Sequence, residues 1–245
     1  FLLYKEGFAF RHNFKRVGLS GLLGGVALAF AFIFFIFGMT YTSAATTLFM
    51  IGTQPLFAGL FAYIFLREYV RAATLIACLI SLGGMFIMAY SDWQSGTFLG
   101  WAFGLFCSIS FATFAVTLRW QPDTPKFTTI MISGVTCALF SIIMILIFSE
   151  NLTMPTRNIL LSILHGSFVA SGLILLSIGS KYLPAAEFML LSLTEVVGGV
   201  IWCWIPLFGV NEVPATYTLI GGLIIVFSIA FHAIGTRQRP VPPTL

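Results

Sequence analysis

Ionisable and amide side chains are rare in the long apolar runs of this 245-residue chain, and two of them could do chemistry. Glu195 lies about halfway along one run, and Gln54 lies near the middle of another, directly before Pro55. A charge in the middle of a bilayer costs a few kcal/mol, so such a carboxylate usually faces a cavity or a polar partner. Glu195 could bind a substrate or a proton, or it could be a protonated side chain in an interhelical hydrogen bond. Gln54 could orient a substrate or clamp two helices together.

Four more side chains complete the predicted substrate-binding set. Trp202 follows Glu195 by seven residues and shares its helical face, where it could stack on a flat or cationic substrate or belong to the core. His165 could pair with Glu195 or relay protons, although a lone histidine in an apolar helix is more often simply hydrogen-bonded. Thr194 neighbours Glu195 in the chain. Tyr41 lies at a helix end, where it could gate a path or anchor the helix at the membrane interface.

The elements that position these residues must be membrane helices. Hydrophobic residues make up 59% of the chain and charged residues 8%, with a mean hydropathy of +1.02, whereas soluble domains carry about 25% charged residues. The apolar runs are too long and too uniform for the alternating strands of a membrane barrel. The predicted fold class is an all-α membrane protein with eight transmembrane helices. The eight predicted spans are 17–39, 44–66, 72–91, 97–118, 128–149, 158–180, 184–208 and 215–236.

The basic residues predict the orientation of these helices. Alternating the eight spans across the bilayer places 11 of the 12 Lys and Arg residues on one side and leaves only Arg157 on the other. Basic loops stay in the cytoplasm, so the C-terminus is predicted to be cytoplasmic in a multi-pass protein of the plasma or inner membrane. The net charge of +4 is therefore a topology signal, and no nucleic-acid partner is expected. The oligomeric state is left open.

An internal repeat divides the chain. A shift of 141 residues places Gly38 on Gly179 and Tyr41 on Tyr182. The first three helices then correspond to the last three, with opposite orientation, as in secondary transporters built from inverted repeats. Symmetry predicts ten helices in two inverted five-helix repeats, eight of them in these residues. The predicted units are a basic cytoplasmic segment 1–16 ending an earlier helix, the rest of a first repeat 17–95, a second repeat 96–236 and a cytoplasmic tail 237–245.

Short motifs carry a family resemblance. The segments Tyr41-Thr-Ser-Ala-Ala45, Thr53-Gln-Pro55 and Leu66-Arg-Glu68 resemble the EamA domain of the drug/metabolite transporter superfamily, as do Tyr182-Leu-Pro-Ala-Ala186 and Leu193-Thr-Glu195. The resemblance implies ten helices made of two such repeats and favours solute export. One departure is Val196, which stands where the family usually has a proline after the glutamate.

Together these features predict a secondary transporter that moves small organic solutes such as amino acids, amines or lipophilic cations by alternating access, with proton coupling left open. The expected partners are a small-molecule substrate, the lipid bilayer and, if coupling exists, protons. No enzyme activity, cofactor or metal site is expected, and the four cysteines are read as packing residues. Ser171 and His232 resemble a protease dyad, but their predicted depths differ by roughly 10 Å. The alternatives are a non-transporting scaffold or receptor and, less favoured, an intramembrane enzyme.

Overall fold

All regular structure in the described part of the chain is helical, which confirms the predicted all-α membrane class. The computed structural model describes residues 16–42, 44–90, 98–121, 124–148, 155–195, 197–198 and 216–236. Five helices there are long and apolar enough to cross a bilayer, each of 20 to 24 residues and so rising about 30–36 Å. They are Gly18–Tyr41, Thr47–Leu66, Phe98–Trp120, Lys126–Phe148 and Thr156–Gly179, and two shorter apolar helices are Ala72–Ile87 and Leu219–Gly235.

The described residues contain nine α-helices, numbered in chain order. They are α1 (Gly18–Tyr41), α2 (Ala44–Ile51), α3 (Gln54–Phe61), α4 (Ala72–Ala89), α5 (Phe98–Trp120), α6 (Lys126–Phe148), α7 (Thr156–Gly179), α8 (Ala185–Ser192) and α9 (Thr216–Thr236). One π-helical turn, Ala62–Leu66, extends α3 and ends at Arg67, whose φ of 54° is left-handed. Seven predicted spans match these helices to within two residues at each end. The seventh, 184–208, begins as α8, and most of its second half lies outside the described residues.

Helices α5 and α8 lie at the centre of the described bundle. Helix α5 packs against α1 on one side and against α3 on the other, while α8 contacts α3, α4 and α5. One apolar cluster joins α3, α5 and α8 through residues such as Ala58, Ala115 and Met189. A second joins α4, α8 and α9 through Ala77, Leu190 and Ile225. The two central helices therefore connect the first half of the chain to the second.

Small residues set how closely these helices approach. A Cβ atom at Gly25 of α1 would lie 2.8 Å from the Thr129 carbonyl oxygen of α6, and one at Gly84 of α4 would lie 2.8 Å from the Gly221 carbonyl oxygen of α9. Glycines at these positions let the backbones meet, which is the usual source of helix association in lipid, where no hydrophobic force drives the helices together.

Two of the three helix pairs that correspond in the predicted repeat pack on each other. Helix α3 contacts α8, and α4 packs extensively against α9. This pairing is what a pseudo-two-fold axis between the halves would produce. The inverted repeat and its boundaries stay predictions, and most of segment 1–16 and all of segment 237–245 lie outside the described residues.

Candidate functional site

The second predicted span is broken at mid-depth. Helix α2 ends at Ile51 and α3 begins at Gln54, with a turn at Gly52 and Thr53 between them. Pro55 contributes to the break because it has no N–H to donate to the carbonyl one turn earlier. The sequence predicted a freed carbonyl within one helix, and the structure interrupts the regular helix at Gly52 and Thr53 within the single span Thr47–Leu66.

The neighbouring helix α5 holds this break in place. The Thr53 hydroxyl donates to the Met50 carbonyl oxygen at 2.6 Å and lies 2.7 Å from the Ser108 Oγ of α5. Since the Thr53 proton is used on Met50, Ser108 is the donor in the second bond. The turn also packs closely on α4, because a Cβ at Gly52 would lie 1.6 Å from the Met85 sulfur. The break is thus fixed from two sides.

Gln54 is the first residue after the break and is almost fully buried. Its side chain is 3% exposed, and its Oε1 atom has no hydrogen-bond partner among the described residues. A buried polar atom without a partner costs about 1–3 kcal/mol of stability. The Gln54 side-chain oxygen is thus a buried acceptor near the middle of the second span.

Glu195 lies in the short helical turn that follows α8. Its side chain is exposed. The carboxylate is within electrostatic range of Cys107 on α5, and Cys107 packs with Ile51, the last residue of α2. Glu195 and the end of α2 therefore both lie near Cys107, and the predicted juxtaposition of Glu195 with Gln54 stays a prediction.

The structure places the other predicted site residues less centrally. Thr194 is exposed, and its hydroxyl donates to the Leu191 carbonyl oxygen at 2.8 Å. Tyr41 ends α1 and is 42% exposed, with its ring 5.7 Å from that of Phe103 in a stacked arrangement. It therefore belongs to an aromatic cluster at the helix end, as expected of an interface anchor.

The structure does not bring His165 to Glu195. His165 is exposed on α7, within a stretch 156–168 in which every residue is exposed. Neither ion pair found in the described part of the chain links His165 to Glu195. Trp202 lies outside the described residues. The roles of both residues stay predictions.

A set of charged hydrogen bonds closes one end of the bundle. The Arg119 guanidinium at the end of α5 donates to the Glu68 carboxylate at 2.6 Å, to the Ser180 carbonyl oxygen at 3.2 Å and to the Leu183 carbonyl oxygen. Glu68 also accepts a bond from the backbone N–H of Ala185 at 3.4 Å. We call this network the Arg119 clasp. It ties the connection after α3 to α5 and to the connection between α7 and α8.

Lys126 extends this closure to α6. Its ammonium is buried and donates to the Ser177 carbonyl oxygen at 3.0 Å and to the Ser180 hydroxyl at 2.8 Å. One end of the bundle therefore holds four basic residues, as the alternation of the predicted spans requires. They are Arg67, Arg119, Lys126 and Lys181. We call this end the basic end.

A second ionisable pair lies near the basic end, and the sequence interpretation did not find it. The His232 Nε2 atom of α9 is 4.0 Å from the Glu187 Oε1 atom of α8 and 3.1 Å from the Thr74 hydroxyl of α4. The available signal was an acid three residues inside a predicted span. Its partner could not be seen, because the two residues are 45 positions apart in the chain.

The structure also places Ser171 and His232, the two residues that resemble a protease dyad in the sequence. Ser171 is exposed on α7, and its hydroxyl donates to the Ser167 carbonyl oxygen of the same helix at 2.8 Å. His232 is 4% exposed and faces Thr74 and Glu187 instead. Ser171 and His232 therefore lie in different environments.

The described helices define a multi-pass helical membrane protein whose second span is interrupted at Gly52 and Thr53. Residues 1–90 match the model of the EamA-like transporter family, which is part of the drug/metabolite transporter superfamily. The match confirms the predicted resemblance over that part of the chain.

Comparison with solved structures supports the same fold. One crystal structure matches with a TM-score of 0.71 and 19% sequence identity, over 92% of this chain and 82% of the other. At this identity the likeness shows the shared fold alone. Among curated proteins, no relative matches.

Proposed function

We propose that this protein is a secondary transporter of small organic solutes that works by alternating access, with the basic end in the cytoplasm. The observation that carries the proposal is the interrupted second span, where the side-chain Oε1 atom of Gln54 is buried without a hydrogen-bond donor among the described residues. Discontinuous helices of this kind form substrate sites in transporters, because irregular backbone is tolerated at membrane depth only inside protein or beside a cavity.

The polar groups at the break favour a cationic or zwitterionic substrate. Glu195 supplies a carboxylate that keeps an exposed surface, and Gln54 supplies an uncharged acceptor oxygen. An ammonium group donates up to three hydrogen bonds and could satisfy both oxygens at once. Amino acids, amines and lipophilic cations all carry such a group. We infer export as the direction from the resemblance to the EamA family.

Alternating access also requires that one end of the bundle close while the other opens. The Arg119 clasp joins three connections at the basic end and supplies a closure on that side. In the proposed cycle, the clasp breaks when the mid-depth site opens to the cytoplasm and forms again when the site opens to the other side. Exchange of one set of hydrogen bonds for another is a common basis of such two-state movements.

Transport by the full-length protein in proteoliposomes tests this proposal. Uptake of a panel of amino acids and amines would be measured for the wild type, Gln54→Ala and Glu195→Gln, with Gln121→Ala as the matched control. Gln121 is exposed beyond the end of α5. Loss of one hydrogen bond to a charged group is worth about 1.5–3 kcal/mol, so we expect transport at low substrate concentration to fall at least about tenfold in both site variants.

The control should transport as the wild type does. Unchanged transport by Gln54→Ala and Glu195→Gln would show that the mid-depth site is wrong. If no solute of the panel moved with the wild type, the scaffold or receptor interpretation would replace the transporter.

A further inference from the structure

Two buried ionisable residues near the basic end have no role in the mid-depth site. Glu187 of α8 is 7% exposed and His232 of α9 is 4% exposed, and the carboxylate and imidazole are 4.0 Å apart. Thr74 of α4 is 1% exposed and lies 3.1 Å from the same imidazole nitrogen. Ionisable residues within membrane segments are expensive and usually serve a ligand, an ion or a proton. We propose that Glu187 and His232 form a proton-binding site that couples proton movement to transport, an inference that rests on the proposed function.

The charges of the pair explain why a proton would bind. With Glu187 ionised and His232 neutral, the pair carries one buried negative charge. When the His232 ring takes a proton from water, the resulting imidazolium balances the carboxylate and the pair becomes neutral overall. A neutral pair is much cheaper to keep in a low-dielectric interior than a lone charge. The 4.0 Å separation is short enough for this attraction to be strong.

Burial and other charged groups act on the pair. Burial opposes a positive charge on His232, Glu187 favours one, and Arg71 at the start of α4 opposes it. Glu68, from the connection after α3, is engaged by Arg119. From α9 itself, Ser228 approaches α4 through its hydroxyl, which lies 2.9 Å from Ser81 Oγ. Glu187 is therefore the carboxylate that directly faces the imidazole in the described part of the chain.

A small cleft borders the pair. It has room for about one water molecule, and its lining includes the polar and charged residues Glu187, Thr74, Arg71, Tyr69 and Glu68. Glu187 and Thr74, two partners of His232, thus both border this space. In the proposed orientation, this cleft would connect the pair with cytoplasmic water.

The position of the pair links it to the mid-depth site. Glu187 and Glu195 lie eight residues apart on α8 and its continuation, about 12 Å along a helix. His232 is bound to α4 through Thr74, and Ser228 adds a further bond between α9 and α4 at the Ala77 carbonyl oxygen, 2.5 Å away. Protonation of His232 would strengthen the attraction of α8 to the α4–α9 pair. A proton could in this way bias the position of the helix that carries Glu195.

Transport with and without a pH gradient tests the coupling. The variants are His232→Gln, which keeps a side chain able to bond Thr74, and Glu187→Gln. The matched control is Lys181→Gln, which removes an exposed charge at the same end. We expect a gradient to change the wild-type and control rates at least about threefold. Both pair variants should lose this dependence while keeping gradient-free exchange within about twofold of the wild type. Dependence on the gradient that survives in either variant would overturn the proposal.

A measurement that needs no substrate separates this proposal from the proposed function. The protein labelled with ¹³C-histidine would be titrated by NMR in lipid nanodiscs, with the His232 signal assigned from its loss in His232→Gln. We expect His232 to titrate, with a midpoint that changes by about one pH unit in Glu187→Gln and stays constant in Lys181→Gln. A histidine that does not titrate, or a midpoint insensitive to Glu187, would overturn the proton site even if transport were found. A titrating pair in a protein that moves no solute would overturn the transporter and the coupling, and leave only the proton site.

Discussion

At the basic end of the bundle, the Glu68 carboxylate accepts hydrogen bonds from both Arg119 and the Ala185 backbone N–H. At mid-depth, by contrast, the side-chain Oε1 atom of Gln54 is buried without a donor among the described residues. Both regions lie where one half of the chain meets the other. In the first region, the charged carboxylate has hydrogen-bond partners within the protein. The second keeps an acceptor that only a ligand or a rearrangement could satisfy.

This difference distinguishes a region that holds helices together from a region that could bind a ligand. A charged group with several partners holds helices together, and its loss leaves the partner buried and unpaired. An acceptor without a partner contributes nothing to stability and costs some of it, so its presence at a broken helix favours a functional reason. Substitutions at four places test whether the basic end and the mid-depth break differ in this way.

The largest effect is expected at the Arg119 clasp. Arg119→Ala removes the bond to Glu68 and those to the Ser180 and Leu183 carbonyl oxygens, and it leaves Glu68 only 11% exposed without its counter-charge. We expect the free energy of unfolding in mixed micelles to fall by about 3 kcal/mol. Arg157→Ala, at an exposed position on α7, should change it by less than about 0.5 kcal/mol. Equal effects for the two variants would mean that the clasp does not stabilise the closed end.

A smaller loss of stability is expected where the break packs on α4. Gly52→Ala places a Cβ against the Met85 sulfur, and Met85 is only 1% exposed, so the side chain has little room to move. We expect a loss of about 2 kcal/mol, which is the usual cost of overpacking. Gly83→Ala, where a Cβ meets nothing within 4 Å, should be neutral or slightly stabilising.

A double-mutant cycle tests whether the contact between Gly52 and Met85 causes this loss. In a Met85→Ala background, the space beside Gly52 is open, so Gly52→Ala should cost at least about 1 kcal/mol less than in the wild type. Additive losses in the cycle would show that the contact with Met85 is not the source of the strain.

The hydrogen bond between Thr53 and Ser108 should contribute less. A cycle of Thr53→Val and Ser108→Ala isolates the 2.7 Å bond that joins the break to α5. We expect a coupling energy of about 0.6 kcal/mol, which is the average for such bonds within membranes. Ser171→Ala serves as the control because its hydroxyl is exposed and bonded within its own helix. A coupling of zero would mean that α5 does not hold the break through this bond.

The smallest effect on stability is expected at Gln54 itself. Gln54→Met has nearly the same shape and removes the unpartnered oxygen, so the free energy of unfolding should stay constant or rise by up to about 1 kcal/mol. Transport should nevertheless fall at least about tenfold, because the acceptor is lost. A stability loss above about 1 kcal/mol with transport intact would favour the alternative in which Gln54 clamps two helices.

Much of the fold could be predicted from the chain alone, and the reason is local. In lipid every backbone polar group must find its partner within the element, so a run of about 20 apolar residues is a helix. The bounds of α1, Gly18–Tyr41, and of α5, Phe98–Trp120, follow from such runs and lie within two residues of their predictions. Pro55 likewise indicated an irregularity in the second span, because a missing N–H acts on its own helix.

The side-chain contacts depended on the tertiary structure. Glu68 meets Arg119, and Glu187 meets His232, across 51 and 45 positions of the chain, and no spacing within a helix predicts such pairs. Tertiary packing also decided that the Gln54 oxygen has no donor among the described residues and that His165 lies on an exposed stretch of α7. Composition and charge by themselves determined a helical membrane protein with its basic connections predicted at one end. Helix packing decided which polar groups are satisfied, because a hydrogen bond or ion pair between helices requires both partners at the same depth and on facing surfaces.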